Sequence, residues 1–226
     1  MITKTPYSVA VDLVEKAVQS IPEFDFRISL NKPTGRFFYD PWVIKEEYKG
    51  SVWEEILNSL PERMGEARII KLEPGTCYRS HADIDDRWHM TLIGQQSFLI
   101  DLDNKAMYQT NDVGCWYSMD TSPRHSASNF GSMPRYQLVI RKLLNDAVLT
   151  EPVTVTIKEK PNDIGEVSRY IFDDIVSPWL NLACKRGTVS SVNIIKSWIR
   201  FSIEKKNLHE LEALINDAGL TIEYEY

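Results

Sequence analysis

The chain has 226 residues with 26 Lys and Arg against 32 Asp and Glu, a formal net charge of -6 and an isoelectric point near 5.3. This balance disfavours nonspecific binding to nucleic acid or anionic lipid, because both need clustered cationic side chains. Hydrophobic residues make up 43% of the chain, as in an ordinary globular protein. We therefore expect a folded protein with no nucleic-acid partner and no membrane partner.

Targeting and redox signals are weak. The first residues lack a charged segment followed by an apolar run, and no apolar run has the length of a transmembrane helix. The three cysteines, Cys77, Cys115 and Cys184, are odd in number and far apart, which predicts unpaired thiols in a reducing compartment. The sequence thus predicts a cytoplasmic protein.

Two amphipathic helices are predicted before the central part of the chain. Apolar residues recur at helical spacing over residues 8–21 and again over residues 52–60. Between them, residues 24–39 mix aromatic side chains with Pro, Gly and Asn, which indicates strand and loop.

From Ala67 onward the pattern changes to short runs of strand length bounded by turn residues. In chain order these are ARIIKLE, CYRSHAD, WHMTLIG, QSFLIDL, KAMYQT, CWYSMD, RHSASNF and RYQLVIRKLL. Such a succession predicts a jelly roll or barrel. The Asp103-Asn104 pair is expected to form a tight hairpin turn, because Asp and Asn tolerate positive φ.

The last third of the chain is predicted to be a small α+β unit. VTVTIKE and SWIRFSIE are strand-like, residues 166–182 are helix-like but interrupted by Pro178, and a final helix has Asn207 as its cap and Gly219 as its stop. The tail LTIEYEY alternates as a strand. We expect a mainly β protein with α+β additions, with one domain over residues 1–148 and a second over residues 149–226.

A candidate metal site comes from the histidines. His81 and Asp83 stand at i and i+2 in a segment predicted to be extended, where alternate side chains share one face. His125, at the start of a later strand, is the third ligand, and Asp85 is the rival for Asp83. Two imidazoles and one carboxylate leave three positions open, which suits oxygen activation by Fe(II).

A cosubstrate site follows from the same hypothesis. Two open positions would bind a 2-oxo acid and the third O2, so the far carboxylate of 2-oxoglutarate needs a buried cation. Arg135 lies beyond the predicted turn 131–134, on the adjoining strand, and its planar fork suits a bidentate carboxylate contact. Arg141 has the same strand parity and is the second candidate.

Each of these residues also has a plain structural interpretation. His89 fits a hydrogen-bonded core histidine, Arg135 a surface residue, and Asp85 and Asp86 a solvated loop edge. Aromatic side chains in the predicted barrel are expected to be core residues rather than pocket walls: Tyr78, Trp116 and Tyr117.

Several motifs in residues 67–143 resemble a known family. They are Pro74-Gly75-Thr76 ahead of His81, Arg87-Trp88-His89, and His125 followed by Asn129 and Arg135. In combination they resemble the aspartyl/asparaginyl β-hydroxylase group of 2-oxoglutarate oxygenases, which includes bacterial free-proline hydroxylases.

The resemblance implies a double-stranded β-helix, a cupin-like jelly roll, with iron held by His81 and His125 and 2-oxoglutarate held by Arg135. It also implies that Arg87 and His89 lie near the metal-side carboxylate of the cosubstrate. The animal peptide hydroxylases have Gly at the position of Asp83. Retaining this carboxylate makes the site look more like that of the free-amino-acid hydroxylases.

The leading hypothesis is an Fe(II)- and 2-oxoglutarate-dependent dioxygenase that hydroxylates an amino acid, as a small molecule or within a peptide. The alternatives are a noncatalytic cupin-like protein that binds a small acid or a metal, and a zinc hydrolase using the same ligands. A carboxylate ligand argues against halogenases, which leave that position for a halide. Three roles stay open for the C-terminal third: covering the barrel, forming a homodimer, or closing over the substrate.

Overall fold

The computed structural model describes residues 2–158, 172–195, 198–218 and 220–225. The chain forms two compact units, the first made of residues 1–80 and 85–143 and the second of residues 81–84 and 144–226. The described residues form several antiparallel sheets and four α-helices. The prediction of a mainly β protein with helical additions is confirmed.

The first unit contains most of the strands. They are β1 (Ile2–Ser8), β2 (Arg27–Ser29), β3 (Asn31–Lys32), β4 (Val43–Ile44), β5 (Met64–Leu72), β6 (Thr76–Cys77), β7 (Arg87–Ile93), β8 (Ser97–Asp101), β9 (Ala106–Gln109), β10 (Cys115–Met119), β11 (His125–Asn129) and β12 (Arg135–Lys142). Its helices are α1 (Val11–Gln19) and α2 (Val52–Asn58), with a 3-10 turn at Glu46–Tyr48. Both helices lie within the ranges predicted from periodicity.

These strands form three antiparallel sheets. The six-stranded sheet has the order β1-β10-β7-β12-β5-β2, and the four-stranded sheet has the order β6-β11-β8-β9. Strands β3 and β4 pair with each other. In the six-stranded sheet, β7 lies between β10 and β12, so His89 has Tyr117 on one side and Val139 on the other.

One face of the six-stranded sheet is covered by the two helices. Side chains at alternate positions of β7 and β12 pack with Ala17 of α1 and Ile56 of α2 in one apolar core, and among them Met90 and Leu138 are fully buried. The helices present their apolar stripe at the 3.6-residue period, while the strands present every second residue. The other face of β7 and β12 is therefore left for a different set of side chains.

A second core joins the six-stranded and four-stranded sheets. Leu99 of β8 packs with Tyr117 and Met119 of β10 and with Ile2 of β1. Trp116 belongs to the helix-side core and is fully buried, whereas Tyr117 belongs to the core between the sheets. The prediction that these two aromatic residues are core residues is confirmed.

Three local predictions need correction. Within the run CYRSHAD only Cys77 lies in a strand, the short β6 (Thr76–Cys77), so His81 and Asp83 do not lie in any of the strands β1–β12. Strand β12, which begins at Arg135, does not pair with β11 but with β5 and β7. The β8–β9 turn contains Asp103 and Asn104, but positive φ falls on Lys105, while the Asp101 carboxylate accepts the Asn104 N–H.

In the second unit, residues 144–226 supply one antiparallel sheet and two helices. Its elements are β13 (Pro152–Lys158), a π-helical turn (Phe172–Val176), α3 (Ser177–Lys185), β14 (Val189–Ile195), β15 (Trp198–Glu204), a 3-10 turn (Lys205–Asn207), α4 (Leu208–Ala218) and β16 (Thr221–Glu225). The sheet order is β14-β15-β13-β16. Among the described helices, none combines the length and apolar composition needed to cross a membrane.

Pro178 lies in the first turn of α3, directly after the π-helical turn at Phe172–Val176. Strand β14 was not predicted. The predicted helical residues 166–171 and the predicted stop at Gly219 lie outside the described residues.

We expect the helix-side core to dominate the stability of the first unit. Leu138→Ala should lower the free energy of unfolding by about 2–5 kcal/mol, because Leu138 is fully buried and its truncation leaves a cavity. Met107→Ala, at a side chain that is 58% exposed, should change it by less than about 0.5 kcal/mol. Urea unfolding followed by fluorescence measures both, and equal losses would contradict this account of the core.

Candidate active site

The candidate site begins on the face of the six-stranded sheet that the helices do not cover. Trp88 and Met90 of β7 belong to the helix-side core, so the alternation of a strand places Arg87 and His89 on the opposite face. The same rule applies to β12, where Leu138 faces the helices. Arg135, Gln137, Val139 and Arg141 therefore share the face of Arg87 and His89. We call this surface the inner face.

Arg135 is a buried cation on the inner face. Its side chain is only 2% exposed, its Nε donates to Ser97 Oγ, and its Nη2 has no hydrogen-bond partner among the described residues. Gly94 packs closely here, since a Cβ at this position would lie 3.4 Å from Arg135 Cγ and 3.2 Å from Ser97 Cβ. Burial lowers the pKa of Arg135 to about 9, so the guanidinium is still charged at neutral pH. The interpretation of Arg135 as a surface residue is wrong.

Arg141 and Arg87 differ from Arg135 because both pair with the carboxylate of Asp85. Arg141 Nη1 lies 2.6 Å from Asp85 Oδ1, and Arg87 Nη1 contacts Asp85 Oδ2. Arg141 Nε also lies 3.4 Å from Glu66 Oε2. Among the described residues, Arg135 forms no ion pair with a carboxylate, and burial lowers its pKa. Within that part of the chain, the inner face therefore carries one cation, Arg135, whose charge no carboxylate balances.

Asp85 is a structural ion-pair residue in this arrangement. It is 1% exposed, and its carboxylate joins guanidinium groups from β7 and β12. Its expected position at a solvated loop edge is wrong. A carboxylate shared by two arginines is a poor metal ligand, because its charge is already committed. Asp83 is thus the better candidate of the two.

His89 is buried and neutral. It is 8% exposed, and neither ring nitrogen has a hydrogen-bond partner among the described residues. Burial lowers its pKa well below 6.5, and the positive charges of Arg135 and Arg87 lower it further. A core histidine was expected to be hydrogen-bonded, and that interpretation is wrong. His89 offers one N–H donor and one acceptor to a bound molecule.

Gln137 adds a further buried donor, which we did not predict from the sequence. It is 2% exposed, and its Nε2 has no hydrogen-bond partner in the described part of the chain. The signal was available, because Gln137 stands two residues after Arg135 in an alternating strand. Buried polar atoms are nearly always hydrogen-bonded, so a group of unsatisfied donors beside an unbalanced cation indicates a site for an acidic molecule.

The predicted metal ligands come together. His81, Asp83 and His125 each offer one ligand atom, and these three atoms lie within 4.8 Å of one another. His81 Nε2 lies 3.7 Å from Asp83 Oδ2. His81 and Asp83 are half-buried, whereas His125 is buried. The separations are small enough for one divalent ion to bind all three residues after minor side-chain movement.

A hydrogen bond orients the ring of His125. Its Nδ1 lies 2.9 Å from the Pro123 carbonyl oxygen, which can only accept a hydrogen bond. The proton therefore resides on Nδ1, and Nε2 carries the lone pair that a metal ion needs. The hydrogen bond to Pro123 thus leaves Nε2 of His125 as the atom that can bind a metal ion. Two imidazoles and one carboxylate suit a divalent transition metal, so the residues present fit the predicted ion.

The pKa of His89 predicts a pH-dependent stability. The unfolded chain takes up a proton on His89 near pH 6.5 but the folded chain does not, so the free energy of unfolding should fall as the pH drops below about 6.5. The slope should be at most about 1.4 kcal/mol per pH unit. His89→Leu should flatten it between pH 7.5 and 5.5 in urea unfolding. His209→Leu, at an exposed histidine, is the control, and a wild-type slope in His89→Leu would refute the assignment.

Comparison with known proteins supports the sequence-based resemblance. The family model of aspartyl/asparaginyl β-hydroxylases matches residues 51–143, a range that contains all six predicted site residues: His81, Asp83, Arg87, His89, His125 and Arg135. The match extends the resemblance from Ala67 back to Ser51 and so includes α2. A search of curated proteins finds no match. The resemblance to the aspartyl/asparaginyl β-hydroxylases that was predicted from the sequence is therefore confirmed over residues 51–143.

Proposed function

We propose that the protein is an Fe(II)- and 2-oxoglutarate-dependent dioxygenase that hydroxylates an amino acid, free or as an aspartyl, asparaginyl or prolyl residue of a peptide. Succinate and CO2 would be the coproducts. The observation that carries the proposal is the group of His81, Asp83 and His125, whose ligand atoms lie within 4.8 Å of one another inside a hydroxylase-family region.

A double-stranded β-helix is part of the proposal. Of the eight strands from β5 to β12, β5, β7, β10 and β12 belong to the six-stranded sheet. Strands β6, β8, β9 and β11 belong to the four-stranded sheet. The orders β10-β7-β12-β5 and β6-β11-β8-β9 are those of two interleaved Greek keys. The core formed by Leu99 and Tyr117 joins the two sheets, as a jelly roll requires.

His81, Asp83 and His125 would hold the iron and leave positions for the cosubstrate and O2. A bound Fe(II) ion would supply the activation of O2, which no side chain can provide. The protein's own contribution is orientation: the Pro123 carbonyl holds the His125 ring, and the carboxylate of Asp83 partly neutralises the ion. Asp83 also occupies the position that halogenases leave to a halide, which favours hydroxylation.

Arg135 would bind the far carboxylate of 2-oxoglutarate. A buried guanidinium with no carboxylate partner among the described residues would gain a counter-ion, and its Nη2 would gain an acceptor. Ser97 accepts a hydrogen bond from Nε of the Arg135 guanidinium, which leaves the Nη atoms for the carboxylate of 2-oxoglutarate. His89 is neutral, so it can donate one hydrogen bond to a carboxylate without adding a second buried charge.

The predicted role of Arg87 in binding the cosubstrate has less direct support. Its guanidinium pairs with Asp85, so contact between Arg87 and the cosubstrate stays a prediction. Its positive charge also lowers the pKa of His89, after the larger effects of burial and of Arg135. A cytoplasmic location, a small-molecule or peptide substrate and a homodimer are further parts of the proposal.

The metal ligands are tested by product formation. His81→Ala and His125→Ala should abolish Fe(II)-dependent succinate production from 2-oxoglutarate, because each removes one of three protein ligands. Succinate is quantified by mass spectrometry with a panel of free amino acids and of short peptides containing Asp, Asn or Pro. His209→Ala removes an exposed histidine and should retain wild-type activity.

Normal turnover in either ligand variant would refute the metal assignment. A wild-type protein that binds 2-oxoglutarate but forms no succinate with any member of the panel would favour a noncatalytic protein that binds a small acid. Hydrolytic activity in the absence of oxygen would favour a zinc enzyme instead.

A further inference from the structure

The segment that carries two of the proposed metal ligands lies between strands β6 and β7. Among the described residues, no helix or strand covers residues 78–86. Nevertheless Ala82 and Ile84 are 2% and 4% exposed, so the segment is firmly packed. Residues 81–84 belong to the same compact unit as residues 144–226.

Two hydrogen bonds inside this unit hold the segment. The backbone N–H of Ala82 donates to the carbonyl oxygen of Asp173, at 3.1 Å. Asn181 Nδ2 donates to the carbonyl oxygen of Asp83, also at 3.1 Å. The first bond orients the peptide that follows His81, and the second orients the peptide that follows Asp83. Each bond therefore fixes the backbone beside one metal ligand.

Asn181 is placed for this contact by α3. It lies in the middle of the helix and is 1% exposed. Asparagine is a poor helix former, and a buried amide is costly unless it is hydrogen-bonded, so an asparagine here needs a specific partner. The carbonyl of Asp83 is such a partner. Leu182, the next residue of α3, is 41% exposed and makes a matched comparison.

We infer that Asn181 is a positioning residue for the metal centre, and that the C-terminal part of the chain holds His81 and Asp83 in their ligand geometry through Asn181 and the carbonyl of Asp173. The inference rests on the proposed function, because it assumes that these residues bind a metal ion. This role differs from the three that the sequence left open for the C-terminal third. Replacing a residue that orients the metal ligands typically changes metal affinity by about 10- to 100-fold.

Mn(II) binding tests the inference without any need for a substrate. The free-ion electron paramagnetic resonance signal of Mn(II) is titrated, without oxygen, against wild type, Asn181→Leu, Asn181→Ala and Leu182→Ala. We expect the two Asn181 variants to bind Mn(II) about 10- to 100-fold more weakly than wild type. Leu182→Ala should bind like wild type. Circular dichroism establishes that each variant is folded at the temperature of the titration.

The outcomes separate the two proposals. A folded Asn181 variant with wild-type Mn(II) affinity would overturn the positioning role and leave the metal site intact, since a purely structural role lowers the melting temperature without changing affinity. A wild-type protein that binds no Mn(II), or binds it equally well as His81→Ala, would overturn both proposals.

Hydrogen–deuterium exchange of the wild-type protein provides the second measurement, which does not depend on whether the variants fold. Mn(II) should slow exchange in peptides covering residues 78–84 and also in peptides covering residues 172–185. Protection of the first region without any change in the second would overturn the inference.

Discussion

The central constraint on this protein is that strands β7 and β12 are buried on both faces. One face meets the apolar stripes of α1 and α2, which requires residues such as Met90 and Leu138 at every second position. The alternate positions form the inner face, where most of the side chains are charged or polar. Charges in such a place are costly unless they are paired, so the pairing pattern of the inner face determines what it can bind.

That pattern separates the three arginines of the inner face into two roles. Asp85 lies between Arg87 and Arg141, and Glu66 also approaches Arg141, so these two cations are balanced by the protein. Arg135 has a hydroxyl partner but no carboxylate among the described residues. An acidic ligand would balance the charge of Arg135. The neutral His89 fits the same interpretation, because a second buried positive charge beside Arg135 would be unfavourable.

Much of the first unit could be predicted from alternation and turn residues, since the local pattern of a strand is determined by which faces are buried. CYRSHAD was the exception, because its residues alternate like those of an exposed strand, but only Cys77 lies in a strand. Strand β1 was missed for a related reason: it lies at the sheet edge, is largely exposed and contains proline, so it has no apolar pattern.

The residue types of the candidate site could be recognised locally, but their partners could not. Asp85 resembles a loop residue in sequence, because its partner Arg141 is 56 positions away. The contact between Asn181 and Asp83 spans 98 positions and leaves no trace in composition or periodicity. Long-range hydrogen bonds and ion pairs depend on how the strands and helices are assembled, and a single sequence does not report them.

The claim that the inner face binds an acidic cosubstrate is tested most directly by anaerobic titration with Fe(II) followed by 2-oxoglutarate. The account predicts a weak visible metal-to-ligand charge-transfer band in the wild-type protein. The band should be lost at the same concentrations in Arg135→Met, which keeps much of the apolar stem, and retained in Arg124→Met, whose arginine forms an exposed pair with Asp103. A band that persists unchanged in Arg135→Met, or a wild-type protein that binds iron without developing the band, would contradict it.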